Sequence, residues 1–125
     1  MSKKINIPVT ASKKVEFKVK FQVPAVEVKK LLDDKTDFKL IDIRTEPEHK
    51  MAHIEGSILA NRDLIEVIFN EWAKDTHIVL YDHTGGQALM AAQSLESKGF
   101  TNAKALVGGI DSWSETVDPL IPRYS

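Results

Sequence analysis

The stretch that most constrains this chain is residues 77–88, which reads His-Ile-Val-Leu-Tyr-Asp-His-Thr-Gly-Gly-Gln-Ala. Ile78, Val79, Leu80 and Tyr81 form an apolar run of strand length, and a run with no polar alternation predicts a strand covered on both faces. The run passes straight into a Gly-containing loop, and a helix is expected to begin near Gln87. A strand, a tight loop and a helix N-terminus in succession aim backbone N–H groups at one point, which makes a small anion cradle. The residue that ends the strand lies at the bottom of that cradle and sets its chemistry. In this chain it is Asp82.

The remaining chain repeats the same alternation. Val15, Phe17, Val19, Phe21 and Val23 alternate with polar residues, which predicts a strand over 15–23 with one dry and one lysine-bearing face. Pro24 ends it and suits a first helical turn, and Val28, Leu31 and Leu32 form the apolar side of a short helix ending near Asp33 and Asp34. Residues 38–43 predict a buried strand, 46–51 a short helix with Pro47 in its first turn, 53–57 a turn and 58–60 a brief strand. Asn61 or Asp63 caps the next helix, whose apolar face is Leu64, Ile65, Val67, Ile68, Phe69 and Trp72. After the 82–87 loop, Ala88, Leu89, Ala91, Ala92 and Leu95 line a helix that stops at Gly99. Residues 103–107 predict a last strand, Gly108 and Gly109 open a helix carrying Ile110 and Trp113, and the tail over 119–122 is expected to be extended. Alternating strands and helices predict an α/β fold: a three-layer sandwich with a central, mainly parallel five-stranded sheet flanked by helices. In such sheets ligand sites lie at the C-terminal ends of the strands, where the 82–87 loop is.

Charge and composition narrow the function classes. The 125 residues carry a net charge of −1, which argues against bulk electrostatic binding of nucleic acid. The charge is uneven: residues 1–30 hold eight lysines against two glutamates, so the remainder is acidic. Residues 1–14 read as a basic N-terminal arm ahead of a domain over 15–125. No apolar run approaches the length of a membrane span, and the N-terminus lacks the apolar core of a secretory signal, so a cytoplasmic location is expected. There is no cysteine, which removes disulfides, thiolate metal sites and any persulfide or thiolate mechanism within this chain. His49, His53, His77 and His83 show no metal-ligand spacing, and neither a metal nor another cofactor is expected.

Four pieces, spread over about residues 21–123, carry a resemblance. Leu40-Ile41-Asp42-Ile43-Arg44 is similar to a strand ending in Asp-Val-Arg. Glu48, then His53-Ile54 with Gly56, resembles an "E…GHIPGA" stretch. Val79-Leu80-Tyr81 leading to Gly85 resembles an active-site strand and cradle, and Leu106-Val107-Gly108-Gly109-Ile110 with Trp113 resembles an "L.GG…W" ending. Together and in this order they resemble a rhodanese-like domain. The resemblance implies that the residue after the strand is a catalytic cysteine that carries sulfur as a persulfide, commonly in a Cys-x-x-Gly-x-Arg pattern. Aligned on Gly85, that cysteine falls on Asp82 and the arginine on Gln87. The loop is also one residue short of the related phosphatase type, whose arginine position falls on Ala88.

The expectation is therefore a rhodanese-like domain without sulfurtransferase activity, with a vestigial loop of Asp82, His83, Thr84, Gly85, Gly86 and Gln87. Asp82 is expected to accept hydrogen bonds from the loop N–H groups and to plug the cradle against anions. Asp42 and Arg44, at the end of a strand, and His53 are candidates for the site mouth, with a structural ion pair as the other reading of Asp42 and Arg44. Inactive members of this family dock other proteins, so a protein partner of unknown identity is expected. Two other readings stay open. Asp82 followed by Thr84-Gly85 resembles the Asp-Lys-Thr-Gly segment of aspartyl-phosphate enzymes, which would make the carboxylate a base or nucleophile in metal-dependent phosphoryl transfer, although His83 replaces the lysine. Alternatively the domain is passive and the basic arm does the work.

Overall fold

A computed structural model describes residues 20–124. The basic arm and residues 15–19 of the first expected strand lie outside the described residues. Five strands, β1 (Gln22–Val23), β2 (Lys39–Asp42), β3 (Ile58–Leu59), β4 (Ile78–Tyr81) and β5 (Ala103–Leu106), form one sheet in the order β1-β5-β4-β2-β3, and each described ladder is parallel. The helices are α1 (Ala25–Asp33), α2 (Glu46–Met51), α3 (Arg62–Glu71), α4 (Gly86–Ser97) and α5 (Gly109–Thr116). This is the α/β sandwich expected from the sequence. Among the described residues no helix is long and apolar enough to cross a membrane.

The side-chain alternation of the central strand separates two cores. Val79 and Tyr81 join Val28, Leu40, Leu106, Ile110 and Trp113 on one face, beneath α1 and α5. Ile78 and Leu80 join Ile41, Ile68, Ala92, Leu95 and Phe100 on the other, beneath α3 and α4. Alanines at 88, 92, 103 and 105, all buried, let α4 lie close against β4 and β5.

Three expectations need correction. Lys20 and Phe21 are helical, and only Gln22 and Val23 pair with β5, so the alternating pattern over 15–23 does not make one long strand. An edge strand with a single neighbour gains little from further pairing, and Phe21 is buried all the same. On α3 Ile68 is buried and Leu64, Phe69 and the C-cap residue Trp72 pack half-buried against the core as expected, but Ile65 is exposed. A single helix laid over a sheet edge covers a narrower stripe than its sequence offers. The tail is not extended throughout. It turns after Asp118, where the Ile121 N–H donates to the Asp118 carbonyl, and Ile121 is buried.

Local chemistry fixes the elements that face the C-terminal edge of the sheet. Thr45 caps α2 in a capping box with Glu48, and Pro47 occupies its first turn. Asn61 caps α3 through the Leu64 N–H at 2.8 Å. Gly85 caps α4 at φ 109°, where an added Cβ would meet the Gly108 backbone nitrogen at 3.0 Å.

Candidate functional site

The segment after β2, the start of α2 and the 82–87 loop enclose an open cavity of about 540 Å³ lined by Arg44, Thr45, Glu48, Asp82, His83 and Gln87, among others. Asp82 is 5% exposed. Its Oδ1 accepts the Gly85 N–H, and its Oδ2 accepts the N–H groups of Gln87 at 2.8 Å and Ala88 at 3.2 Å. These donors belong to the loop and the first turn of α4, whose N–H groups have no partner within the helix. A carboxylate supplied by the chain itself takes the place that an anion would occupy at such a helix start.

The loop is held from behind by α5. The Ile110 N–H donates to the Asp82 carbonyl at 2.9 Å and the Asp111 N–H to the His83 carbonyl at 3.1 Å. Gly109 makes this approach possible, because a Cβ there would lie 2.4–2.5 Å from backbone atoms of Asp82 and His83. The Gly108-Gly109 pair of the sequence thus serves the loop as much as the helix it opens.

Beneath the mouth lies a polar hub. Asp42 is fully buried. Its Oδ1 accepts the backbone N–H and Nε of Arg44, while Oδ2 accepts Arg44 Nη2 at 2.8 Å, His49 Nδ1 at 2.8 Å and the Tyr81 hydroxyl at 3.1 Å. The Tyr81 oxygen in turn accepts the Ile54 N–H and pairs with Ser57 Oγ at 2.8 Å, tying the 53–57 turn to β4. Arg44 Nη2 also donates to the Ala52 carbonyl at 2.7 Å. Burial works against ionising Asp42, but the bonds from Arg44 and His49 outweigh it and hold the carboxyl below its ordinary range. Burial likewise opposes the Arg44 charge, and its bonds to Asp42 overcome this and make the guanidinium more basic than usual. Burial pushes the Tyr81 phenol up to about 12. Tyr81 therefore stays a neutral donor to an ionised Asp42.

Of the expected mouth residues, Arg44 lines the cavity, Asp42 lies buried behind it as its ion-pair partner, and His53 stands apart. His53 is exposed, stacks on His49 at 3.9 Å between ring centroids, and donates through Nδ1 to the His49 carbonyl. Within the loop, Thr84, Gly86 and Gln87 have exposed side chains or backbone, whereas His83 is half-buried with Nε2 enclosed and unpartnered. Among the described residues no group of three His, Cys, Asp or Glu side chains is placed to hold a metal ion.

Sequence reasoning missed Tyr124. Its ring stacks on His83 with centroids 3.9 Å apart and planes 7° apart, and its hydroxyl donates to Glu48 Oε2 and accepts from Arg44 Nη1 at 3.3 Å. The bond from Tyr124, with a second from Thr45, holds the Glu48 carboxyl below its ordinary range. No spacing or pattern links residue 124 to residue 83. Tyr81 did carry a signal: a hydroxyl at the end of an otherwise apolar buried strand requires a partner.

The family whose model matches the chain, over residues 24–116, is described as a rhodanese-like domain. A sulfurtransferase of Allochromatium vinosum is 27% identical over 100 residues, covering 80% of this chain and 94% of its own length. The adenylyltransferase and sulfurtransferase MOCS3-2 of Zea mays is 31% identical over 105 residues, covering 78% of this chain but 22% of the relative. The chain thus spans about a quarter of the length of such two-activity relatives, as it does for UBA4 of Candida albicans at 26%. Among solved structures, the rhodanese-like domain of the Anabaena sp. Alr3790 protein superposes with a TM-score of 0.68 at 26% identity, covering 77% of this chain and 74% of that one. The human single-domain sulfurtransferase TSTD1 shares the fold, with a TM-score of 0.67 at 21% identity over 76% of this chain and 96% of its own.

Proposed function

The chain belongs to the rhodanese-like domain family, and from this membership we propose that it is a member that does not transfer sulfur and acts as a binding module for a protein partner. One observation carries the reading: the Asp82 carboxylate at the strand end accepts three loop and helix N–H groups, at the position where the family resemblance puts the sulfur-carrying cysteine. A carboxylate forms no persulfide, and the chain has no other cysteine to take its place. A cradle already filled by negative charge also repels thiosulfate and similar anions. The names of the relatives support the competing reading, sulfur transfer, but its persulfide step has no thiol in this chain. With the reaction gone, the cavity still presents the exposed Thr45, Thr84, Gly86 and Gln87 to a partner.

The test measures sulfur transfer from thiosulfate to cyanide. The wild-type chain is expected to release no thiocyanate above the blank, and saturable, enzyme-dependent release would overturn the proposal. Asp82→Cys is expected to react with thiosulfate and gain the mass of one sulfur atom, because the donors that hold the carboxylate also stabilise a thiolate. A folded Asp82→Cys protein that never gains that mass would refute the claim that only the nucleophile has been replaced.

A further inference from the structure

We propose that residues 122–124 are a latch over His83 and the Arg44–Glu48 rim beside the loop cavity, with Tyr124 as its cover, hinged at Ile121 and opening in the native protein to uncover His83 and Arg44. This stands apart from the reading of Asp82, because it concerns access to the cavity and not the chemistry inside it. Two sets of contacts carry it. At the root, Ile121 is buried in the core beneath α5, and Ser114 Oγ donates to its carbonyl, so the chain is anchored there. Beyond the root, among the described residues, no backbone hydrogen bond ties 122–124 to the body, and side chains alone hold the segment down. Arg123 makes a two-bond pair with Asp111 at 2.8 and 2.9 Å and a single bond to Glu115 at 3.1 Å, all on the surface, where salt screens them. Tyr124 is 38% exposed and is held by one stacked ring and two hydroxyl bonds. A segment held by side chains alone beyond a fixed hinge can open locally while the fold stays intact.

What Tyr124 covers gives the latch a purpose. His83 Nε2 is enclosed without a partner. Arg44 Nη1 has the Tyr124 hydroxyl as its hydrogen-bond acceptor among the described residues, and Glu48 Oε2 receives that hydroxyl. Lifting one side chain therefore frees a guanidinium N–H and a carboxylate oxygen and bares one face of the His83 imidazole, together at one side of the cavity. In the closed state those groups satisfy the tail, and a partner that needs them must wait for, or displace, Tyr124.

Carbethoxylation of histidines by diethylpyrocarbonate, followed by peptide mapping, reads the latch directly. A latch open in about a tenth of molecules or fewer implies that Tyr124→Ala raises the modification rate of His83 about tenfold or more. Tyr124→Phe, which keeps the stacked ring and loses the hydroxyl bonds, is expected to fall between. Exposed His53 serves as the internal standard and half-buried His77 as the check on folding, and both should react at their wild-type rates in each variant. Raising the salt concentration on the wild-type protein should speed His83 modification through the Arg123 pairs. The proposal is overturned if His83 reacts at the wild-type rate in Tyr124→Ala, or if His83 of the wild-type protein already reacts as fast as His53.

Discussion

Replacing Asp82 with asparagine tests how far the loop depends on its carboxylate. The side chain keeps its shape, so no cavity is made, and only the acceptor pattern changes. An asparagine amide has one oxygen and one nitrogen where aspartate has two oxygens. With the nitrogen turned toward Gly85, the Gly85 N–H loses its acceptor while Gln87 and Ala88 keep a neutral one. With the nitrogen turned the other way, two donors lose theirs. A hydrogen bond to a charged group contributes about 1.5–3 kcal/mol, roughly twice a neutral one. The better of the two orientations then loses one such bond and half of two others, a destabilisation of about 3–6 kcal/mol. With a urea slope near 2 kcal/mol per molar, the unfolding midpoint falls by about 1.5–3 M. Urea titrations followed by circular dichroism measure this directly, with the slope required to stay constant between variants. A loss below about 1 kcal/mol would refute the reasoning, because it would mean that water serves the loop N–H groups as well as the carboxylate does.

Two further outcomes follow from the loop's support and the hub beneath it. Gly109→Ala forces a Cβ against the Asp82 and His83 backbone at a φ of 61°, and should break both bonds from α5 to the loop. Thermal and urea unfolding should show a loss of about 3–5 kcal/mol from the two bonds and the left-handed backbone. Asp42 has a folded pKa below its unfolded value, so its contribution is complete above the unfolded pKa, about 4, and is lost as pH falls through the folded value. Asp42→Asn should therefore be less stable than wild type at neutral pH, with Arg44 left buried and unpaired, and its melting temperature should fall less steeply below about pH 4.

The hub explains why the mouth of the site is built where it is. Asp42 and Tyr81 are register partners on adjacent strands, so the carboxylate and the phenol meet at the C-terminal edge of the sheet without any long-range arrangement. Their partners, Arg44, His49, Ile54 and Ser57, all come from the segment between β2 and β3. One ionised buried group thus organises the whole rim that faces the 82–87 loop.

Much of this was legible in the sequence. Apolar runs and glycines placed β2, β4, β5 and the helices between them, because strand length, helical period and backbone freedom are local properties of a few consecutive residues. The strand-loop-helix junction put a carboxylate among backbone N–H donors for the same reason, since Asp82 and its donors lie within seven residues of one another. Even the absence of cysteine needed only the composition. Other features depended on which surfaces meet. The pattern over 15–23 predicted one strand, but Lys20 and Phe21 are helical and only Gln22 and Val23 pair with β5. The apolar face of α3 was real, but only Ile68 found a buried place beneath it. His53, next in sequence to a buried isoleucine, turned outward, while Tyr124 came back across more than forty residues to stack on His83. Contacts of that kind carry no periodicity, since their partners are neighbours only after the chain has packed. The sequence alone determined the cradle and the charge at its base, and tertiary packing decided what covers it.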